Sequence, residues 1–253
     1  MLRYVLLGSG SNGNCCIIES NNTVIAIDFG LGIKEIKERA SKVGYDLEEI
    51  KALFITHNHT DHIRSVKYFP IEKIYATAST LVDMEPNIVE PFITTYVGDL
   101  KVTPIPTSHD AGNSVGYVIE DGEEKLVYMT DTGYVNRKFF TYLKDADHYV
   151  FESNHDETQL LRCKYPYFLK KRIISDYGHL SNTDCAEILS ELICDKTKSI
   201  VLAHLSEEAN TKEKALSTLK TIFDKNGINY NNIEIQAADR YKITIGSGLN
   251  AIK

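Results

Sequence analysis

The sequence predicts an α/β fold in which β-sheets are covered by helices, and three observations carry that reading. Short β-rich runs alternate with helix-like stretches along all 253 residues. No short repeat, low-complexity segment or Pro/Gly-rich linker breaks the alternation. Hydrophobic residues make up 43% of the chain, enough for a normal buried core. A single domain over residues 1–253 is the expectation.

The elements follow in order. Residues 2–8, 14–20 and 23–29 read as strands, the last two joined as a hairpin through Ser20-Asn21-Asn22. Residues 33–43 carry Ile33, Ile36, Lys37 and Ala40 at helical spacing and stop before Gly44, a C-cap. Further helices are expected at 136–143, 166–173, 181–194 and 211–226. The third of these opens with Ser181-Asn182-Thr183-Asp184, which is capping chemistry.

Composition excludes several classes. No apolar stretch approaches the roughly 20 residues that span a bilayer, and no signal peptide is read at the N-terminus. Cys15, Cys16, Cys163, Cys185 and Cys194 are odd in number and form no C-x-x-C pair, which suits a reducing cytoplasm and argues against a thiolate metal site. A net charge of −7 argues against holding nucleic acid through a broad basic surface, though not against local phosphate binding. Gly8-x-Gly10-x-x-Gly13 with Asp28 downstream has the spacing of a dinucleotide fingerprint. The third glycine leads into Asn14-Cys15-Cys16-Ile17-Ile18, a strand, so no helix N-terminus is there to hold a pyrophosphate.

The chemistry gathers where apolar runs end. Residues 52–56 deliver His57, 102–108 deliver His109, 126–130 deliver Asp131 and 200–203 deliver His204; two more runs end at Asp28 and Glu152. Sites gather on loops held by a rigid scaffold. Taken alone, any one of these groups reads more readily as a turn or cap residue. His57-x-His59-x-Asp61-His62 does not, because four metal-capable side chains within six residues after a strand are not there for packing.

In that order the motifs resemble the metallo-β-lactamase superfamily: Asp28, His57 to His62, His109, Thr130-Asp131-Thr132-Gly133 and Ala203-His204. The resemblance implies an αβ/βα four-layer fold, two mixed sheets face to face with helices outside. It implies two divalent metal ions, with His57, His59 and His109 on one, Asp61, His62 and His204 on the other, Asp131 bridging, and Asp28 ordering the ligand loop. The nitrogen-rich first set favours zinc, while manganese and iron accept the same ligands. Asp131 stands where true β-lactamases commonly carry cysteine, so antibiotic hydrolysis is not expected. Only residues 132–203 separate Asp131 from His204, too few for a β-CASP insertion.

Three further segments resemble the YycJ/WalJ-type proteins: Gly8 to Asn14, Glu152-Ser153-Asn154-His155-Asp156, and Tyr165 to Asn182 with its Gly178-His179-Leu180-Ser181. Asn58, Arg64-Ser65 and Cys163-Lys164 depart from that pattern without removing a ligand. The resemblance implies a metal-dependent phosphodiesterase on DNA, a 5′-to-3′ exonuclease. Two divalent ions against Asp61, Asp131 and a bridging hydroxide leave about one net positive charge, which suits a phosphate. On this reading the hydroxide attacks phosphorus in line, Asp61 orients it and His179 donates to an oxygen of the phosphate. Ser11, Asn14, His155 and Ser181 position that phosphate. His179 also reads as a loop histidine before a helix cap, and His155 as a packed one. Arg162, Lys164, Lys170, Lys171 and Arg172, with Tyr165, Tyr167 and Phe168 and no acid among them, read either as a track for a nucleic-acid strand or as a solvated helix face. A thioesterase or cyclic phosphodiesterase of the same fold shares every ligand, and a module whose metal only orders the fold needs just four. The oligomeric state is not legible.

Overall fold

The computed structural model describes residues 1–247. Its strands form two seven-stranded sheets, each mixed, and the chain divides into two compact units.

The first unit takes residues 1–106, 111–125 and the chain from Asp239 on. It contains β1 (Leu2–Gly8), β2 (Cys15–Ser20), β3 (Thr23–Ile27), α1 (Ile33–Lys42), β4 (Ile50–Phe54), α2 (Thr60–Ile63), β5 (Ile74–Ala76), β6 (Asn87–Ile88), β7 (Thr95–Val97), β8 (Leu100–Pro106) and β9 (Val115–Glu120). β1, β2 and β3 pair antiparallel, with Tyr4 opposite Ile18 and Ile17 opposite Ala26; β3 to β6 are parallel, with Ile27 beside Phe54. Strands whose residues are buried on both faces read as the near-continuous apolar runs seen here. Asn21, with φ 43°, makes the tight turn of the β2–β3 hairpin. Ile36 and Ala40 of α1 face the core, and Gly44, with φ 85°, closes the helix as expected. β7, β8 and β9 form an antiparallel run.

The second unit takes residues 107–110 and 126–238. Here lie β10 (Lys125–Met129, from Leu126 on), α3 (Phe140–Leu143), β11 (His148–Glu152), α4 (Glu157–Arg162), α5 (Tyr167–Ile174), α6 (Asn182–Leu192), β12 (Ser199–Ala203), α7 (Lys212–Lys225) and β13 (Glu234–Ala237). β10 to β13 are all parallel, with Val127 beside Tyr149 and Phe151 beside Leu202. Parallel strands deliver their C-terminal ends to one edge, the place where such sheets build sites. The first unit's sheet is completed by β14 (Thr244–Ser247), antiparallel to β1.

The differences from expectation are local. Asn14 stays outside β2 because its N–H goes to the Asp61 carbonyl at 2.8 Å. β3 ends at Ile27 because Asp28 turns into the left-handed region, φ 59°. The helix expected at 136–143 is a 3₁₀ turn over Arg137–Phe139 running into α3. Ser181 caps α6 as its sequence suggests, accepting from Asp184 N at 3.1 Å. No helix among the described residues is long and apolar enough to cross a membrane.

Candidate metal-binding site

In the first unit the ligand loop leaves β4 through Thr56. The backbone N–H of Thr56 donates to Asp28 Oδ1 at 2.9 Å and its carbonyl accepts from Val115 N at 3.0 Å, so the chain is pinned before the first histidine. His57 to His59 are irregular, and α2, a single turn, follows; His62 N donates to His59 O at 2.9 Å. The ring centroids of His57 and His59 are 4.6 Å apart, and those of His57 and His62 are 4.0 Å apart. His57 and His62 are buried, while Asp61 keeps 20% of its side chain exposed.

Asp28 and Thr56 assign the tautomers. His62 Nδ1 donates to Asp28 Oδ2 at 2.7 Å; Thr56 Oγ1 donates to the same carboxylate and accepts from His57 Nδ1 at 3.0 Å. Both rings therefore carry hydrogen on Nδ1 and the lone pair on Nε2, the arrangement a metal-binding imidazole needs. Asn14 Nδ2 lies 3.0 Å from His62 Nε2, as a donor to that lone pair. Burial raises the Asp28 carboxyl above its usual value, against the lowering by His62 and Thr56.

The loop is stapled from below. Asn14 N donates to Asp61 O, Phe29 N to His62 O at 2.8 Å, and Gly30 N to Asn14 O at 2.9 Å. A Cβ on Gly30 would stand 1.6 Å from the Asp61 carbonyl oxygen, so only glycine fits. Asn14 is buried and its amide is engaged with Gly10 as well as this loop; Ser11 is exposed at the tip of the preceding turn.

The second unit assembles its own cluster at the ends of parallel strands. Donor atoms of Asp131, Glu152, His179 and His204 lie within 4.8 Å of one another. Asp131 and His204 both adopt the left-handed backbone, φ 55° and 54°. His204 Nδ1 is 2.9 Å from Glu152 Oε1 and 3.4 Å from Asp131 Oδ1. His179 Nδ1 reaches the same Glu152 oxygen at 2.8 Å and Asp131 Oδ1 at 3.8 Å. His109 donates from Nδ1 to Gly178 O at 3.1 Å, with Nε2 3.8 Å from Asp131 Oδ1. Glycine is required beside it: a Cβ on Gly133 would sit 2.3 Å from Ser175 O, and one on Gly178 2.2 Å from Arg172 O.

Glu152 is the residue that sequence reasoning left without a role. It is fully buried, and its other oxygen accepts from Thr132 N at 2.8 Å and Leu180 N at 3.2 Å. Burial works to raise its carboxyl, but the His179 charge and the bonds from His179 and His204 outweigh it and hold it below the usual carboxylate range. Its place at the end of an apolar strand was the available signal. Gly133 was marked by the Thr130-Asp131-Thr132-Gly133 motif, while Thr56 and Gly30 gave no signal. His155 is buried, its Nδ1 has no hydrogen-bond partner among the described residues, and burial lowers its pKa; its backbone bridges to Ser181. The Ser181 hydroxyl is occupied as the cap of α6.

The donor chemistry fits divalent cations. Two buried carboxylates converge with imidazoles, and burial lowers the His109 pKa, keeping that ring neutral against the pull of Asp131. Glu152 stands behind His204 as Asp28 stands behind His62, orienting a ring that presents its other nitrogen.

Comparison with known proteins agrees. The profile of the Beta-lactamase superfamily domain matches residues 23–205. The chain is 33% identical over 239 residues to Exodeoxyribonuclease YycJ of Bacillus anthracis, covering 89% of this chain and 90% of that one. It is 35% identical over 232 residues to Exodeoxyribonuclease WalJ of Streptococcus pneumoniae, covering 86% of each. Its fold matches the metallo-β-lactamase fold protein YhfI of Bacillus subtilis with a TM-score of 0.73 at 16% identity, over 97% of this chain and 99% of that one. Fold, motifs and relatives coincide, and the chain belongs to the metallo-β-lactamase superfamily, to its YycJ/WalJ type, as a metal-dependent hydrolase.

Proposed function

We propose that this chain is a dinuclear metal-dependent phosphodiesterase that acts on DNA as a 5′-to-3′ exonuclease. The single observation that carries the reading is His179, held through Nδ1 by the buried Glu152 with Asp131 beside it. A histidine oriented through Nδ1 in this way directs its other ring nitrogen, Nε2, away from Glu152, as a donor to an oxygen of a phosphate. That is proton donation to a leaving group, which hydrolysis of a diester requires. Relatives matched over most of their length carry the name exodeoxyribonuclease.

The ligands assigned are His57, His59, Asp61, His62, His109, Asp131 and His204, in the order of the family motifs. The nitrogen-rich set favours zinc. When bound, the two ions supply Lewis acidity toward the phosphate and a lowered pKa for the attacking water. Asp61, partly exposed, is the group assigned to orient that water. Ser11 is the exposed group of the 9–14 turn available to a phosphate oxygen, while Asn14 acts through the loop it staples. Cys15, Cys16 and Cys185 are buried, and burial pushes their thiols up; with all five cysteines free, the cytoplasm is the compartment proposed.

The test is metal analysis of the purified chain together with turnover of an end-labelled duplex carrying a 5′-phosphate. About two ions per chain and release of labelled mononucleotide are expected. Turnover of thioesters with an intact duplex would sink the nuclease reading in favour of a small-molecule hydrolase.

A further inference from the structure

Helix α5 has a packed face and a bare one. Leu169 and Ile173, one turn apart, pack with Leu160, Cys163, Tyr165 and Ala209 in a small apolar cluster. The outer faces carry Tyr167 and Phe168, 73% and 74% exposed, and Tyr177 follows at 64%. Large aromatic rings standing in water in one short segment are not a packing solution. Their charge setting is equally specific. The chain has an excess of seven acids, yet residues 162–172 contain five cations and no acid.

Two of those cations have structural work. Lys170 Nζ donates to the carbonyls of Leu161 and Cys163 at 2.8 Å, and Arg172 pairs with Asp110. Arg162, Lys164 and Lys171 remain exposed, with the Lys171 ammonium 5.1 Å from the Tyr167 ring centre. Beyond Ile174 the surface turns net acidic, at a cavity of about 380 Å³ lined by Asp176, Asp184, Glu187 and Glu191, with Arg137 paired to Glu191 as its one lining cation. A polyanion therefore has a favourable course on the side of Tyr167 and Phe168 and an unfavourable one past the cavity. Gly178, four residues beyond the end of α5, accepts from His109, so the segment that carries these rings leads in sequence to the metal-ligand cluster of the same unit.

We propose that Tyr167 and Phe168, with Arg162, Lys164 and Lys171, form a stacking platform for single-stranded DNA. The inference rests on the phosphodiesterase reading and sharpens it: the platform would take unpaired bases, so the strand is gripped after separation from its complement. Flat rings accept any base by stacking, and cations alongside follow the phosphates. A duplex hides its base faces and gains only the charge contribution.

The chain has no tryptophan, so Phe168→Trp places a lone indole on the platform. In the metal-loaded protein, a phosphorothioate poly-dT strand of about 16 nucleotides should quench that indole, and a blunt duplex should not. Tyr167→Ala and Phe168→Ala should each weaken poly-dT binding at least about 5-fold by anisotropy. Lys164→Ala and Lys171→Ala should each lower the slope of log affinity against log salt by about 0.7. Hydrolysis of bis(p-nitrophenyl) phosphate should be unchanged in all of them. Unchanged indole emission under saturating poly-dT, with full affinity in the alanine variants, overturns the platform and leaves the face to another partner. If no phosphodiester is hydrolysed by the parent chain, the function fails, while the platform is judged separately on binding.

Discussion

Glu152→Gln isolates what one buried carboxylate does for the cluster of the second unit. Its Oε1 accepts from His179 Nδ1 at 2.8 Å and His204 Nδ1 at 2.9 Å, and its Oε2 from Thr132 N at 2.8 Å and Leu180 N at 3.2 Å. A glutamine of the same shape has one acceptor oxygen and one amino group. Whichever way it turns, two of the four donors face another donor. Each bond lost is one to a buried charge, about 1.5–3 kcal/mol, so the gross loss is about 3–6 kcal/mol. Neutralising the group also removes the desolvation cost of a buried carboxylate, and the net is about 3 kcal/mol. For a chain of this size that lowers Tm by about 6–12 °C. Thermal unfolding followed by circular dichroism, with parent and variant both in excess chelator, separates this from metal loss. A variant melting within about 2 °C of the parent would refute the argument that Glu152 holds these imidazoles.

Three further outcomes follow from the same structure. Asp28→Asn keeps a side chain that tolerates φ 59° but removes the charge accepting from His62 Nδ1 and Thr56, so metal affinity should fall 10- to 100-fold by competition with a chromogenic chelator. Gly30→Ala drives a methyl group onto the backbone of Asp61; the loop must shift, and circular dichroism should show an unfolding midpoint well below the parent's. At Asp121 burial raises the carboxyl, but the N–H groups of Glu124 and Glu123 and the Ser20 hydroxyl bring it down to about 2. A depressed folded pKa contributes stability above the unfolded value near 4, lost as pH falls toward 2, about 2 kcal/mol in all. Urea titrations of Asp121→Asn should therefore show a shallower loss of stability than the parent across that interval, with parallel curves counting against the turn.

Much of this was legible because periodicity and motif order are local properties. β1, α1 and the cap of α6 lie where apolar spacing and Ser181 place them. His57, His59, Asp61 and His62 announce themselves by being adjacent in sequence. Glu152 does not, because its partners are 27 and 52 positions away and come together only when parallel strands align their ends. The close approach of Gly30 to Asp61 is likewise a tertiary fact, since nothing in Phe29-Gly30-Leu31 says which backbone passes over it. Ser181 and Asn14 have a structural part that their residue types alone do not reveal. Ser181 caps a helix, and Asn14 holds a loop junction.

The same backbone device recurs in each unit: Asp28 in the first, Asp131 and His204 in the second, all left-handed at strand ends. Each such residue costs about 1–3 kcal/mol, against a total stability on the order of 5–15 kcal/mol. The structure must offset that strain nearby, and the hydrogen bonds show where. Asp28 is held by Thr56 and His62, His204 by Glu152, and the turn after Asp131 by the bond from Thr132 N to Glu152. Glu152 therefore supports two strained positions, and a cation drawing on Asp131 and His204 would support the same two. Ligand present at 100 times its Kd adds about 2.7 kcal/mol to a folded state. Adding chelator should accordingly lower the Tm of the parent by about 5–11 °C. It should lower that of Glu152→Gln by much less, because a ring no longer oriented binds metal weakly before the chelator arrives. Equal drops in the two proteins would show that metal and carboxylate act independently, and the link drawn between strain, Glu152 and the ligand set would be broken.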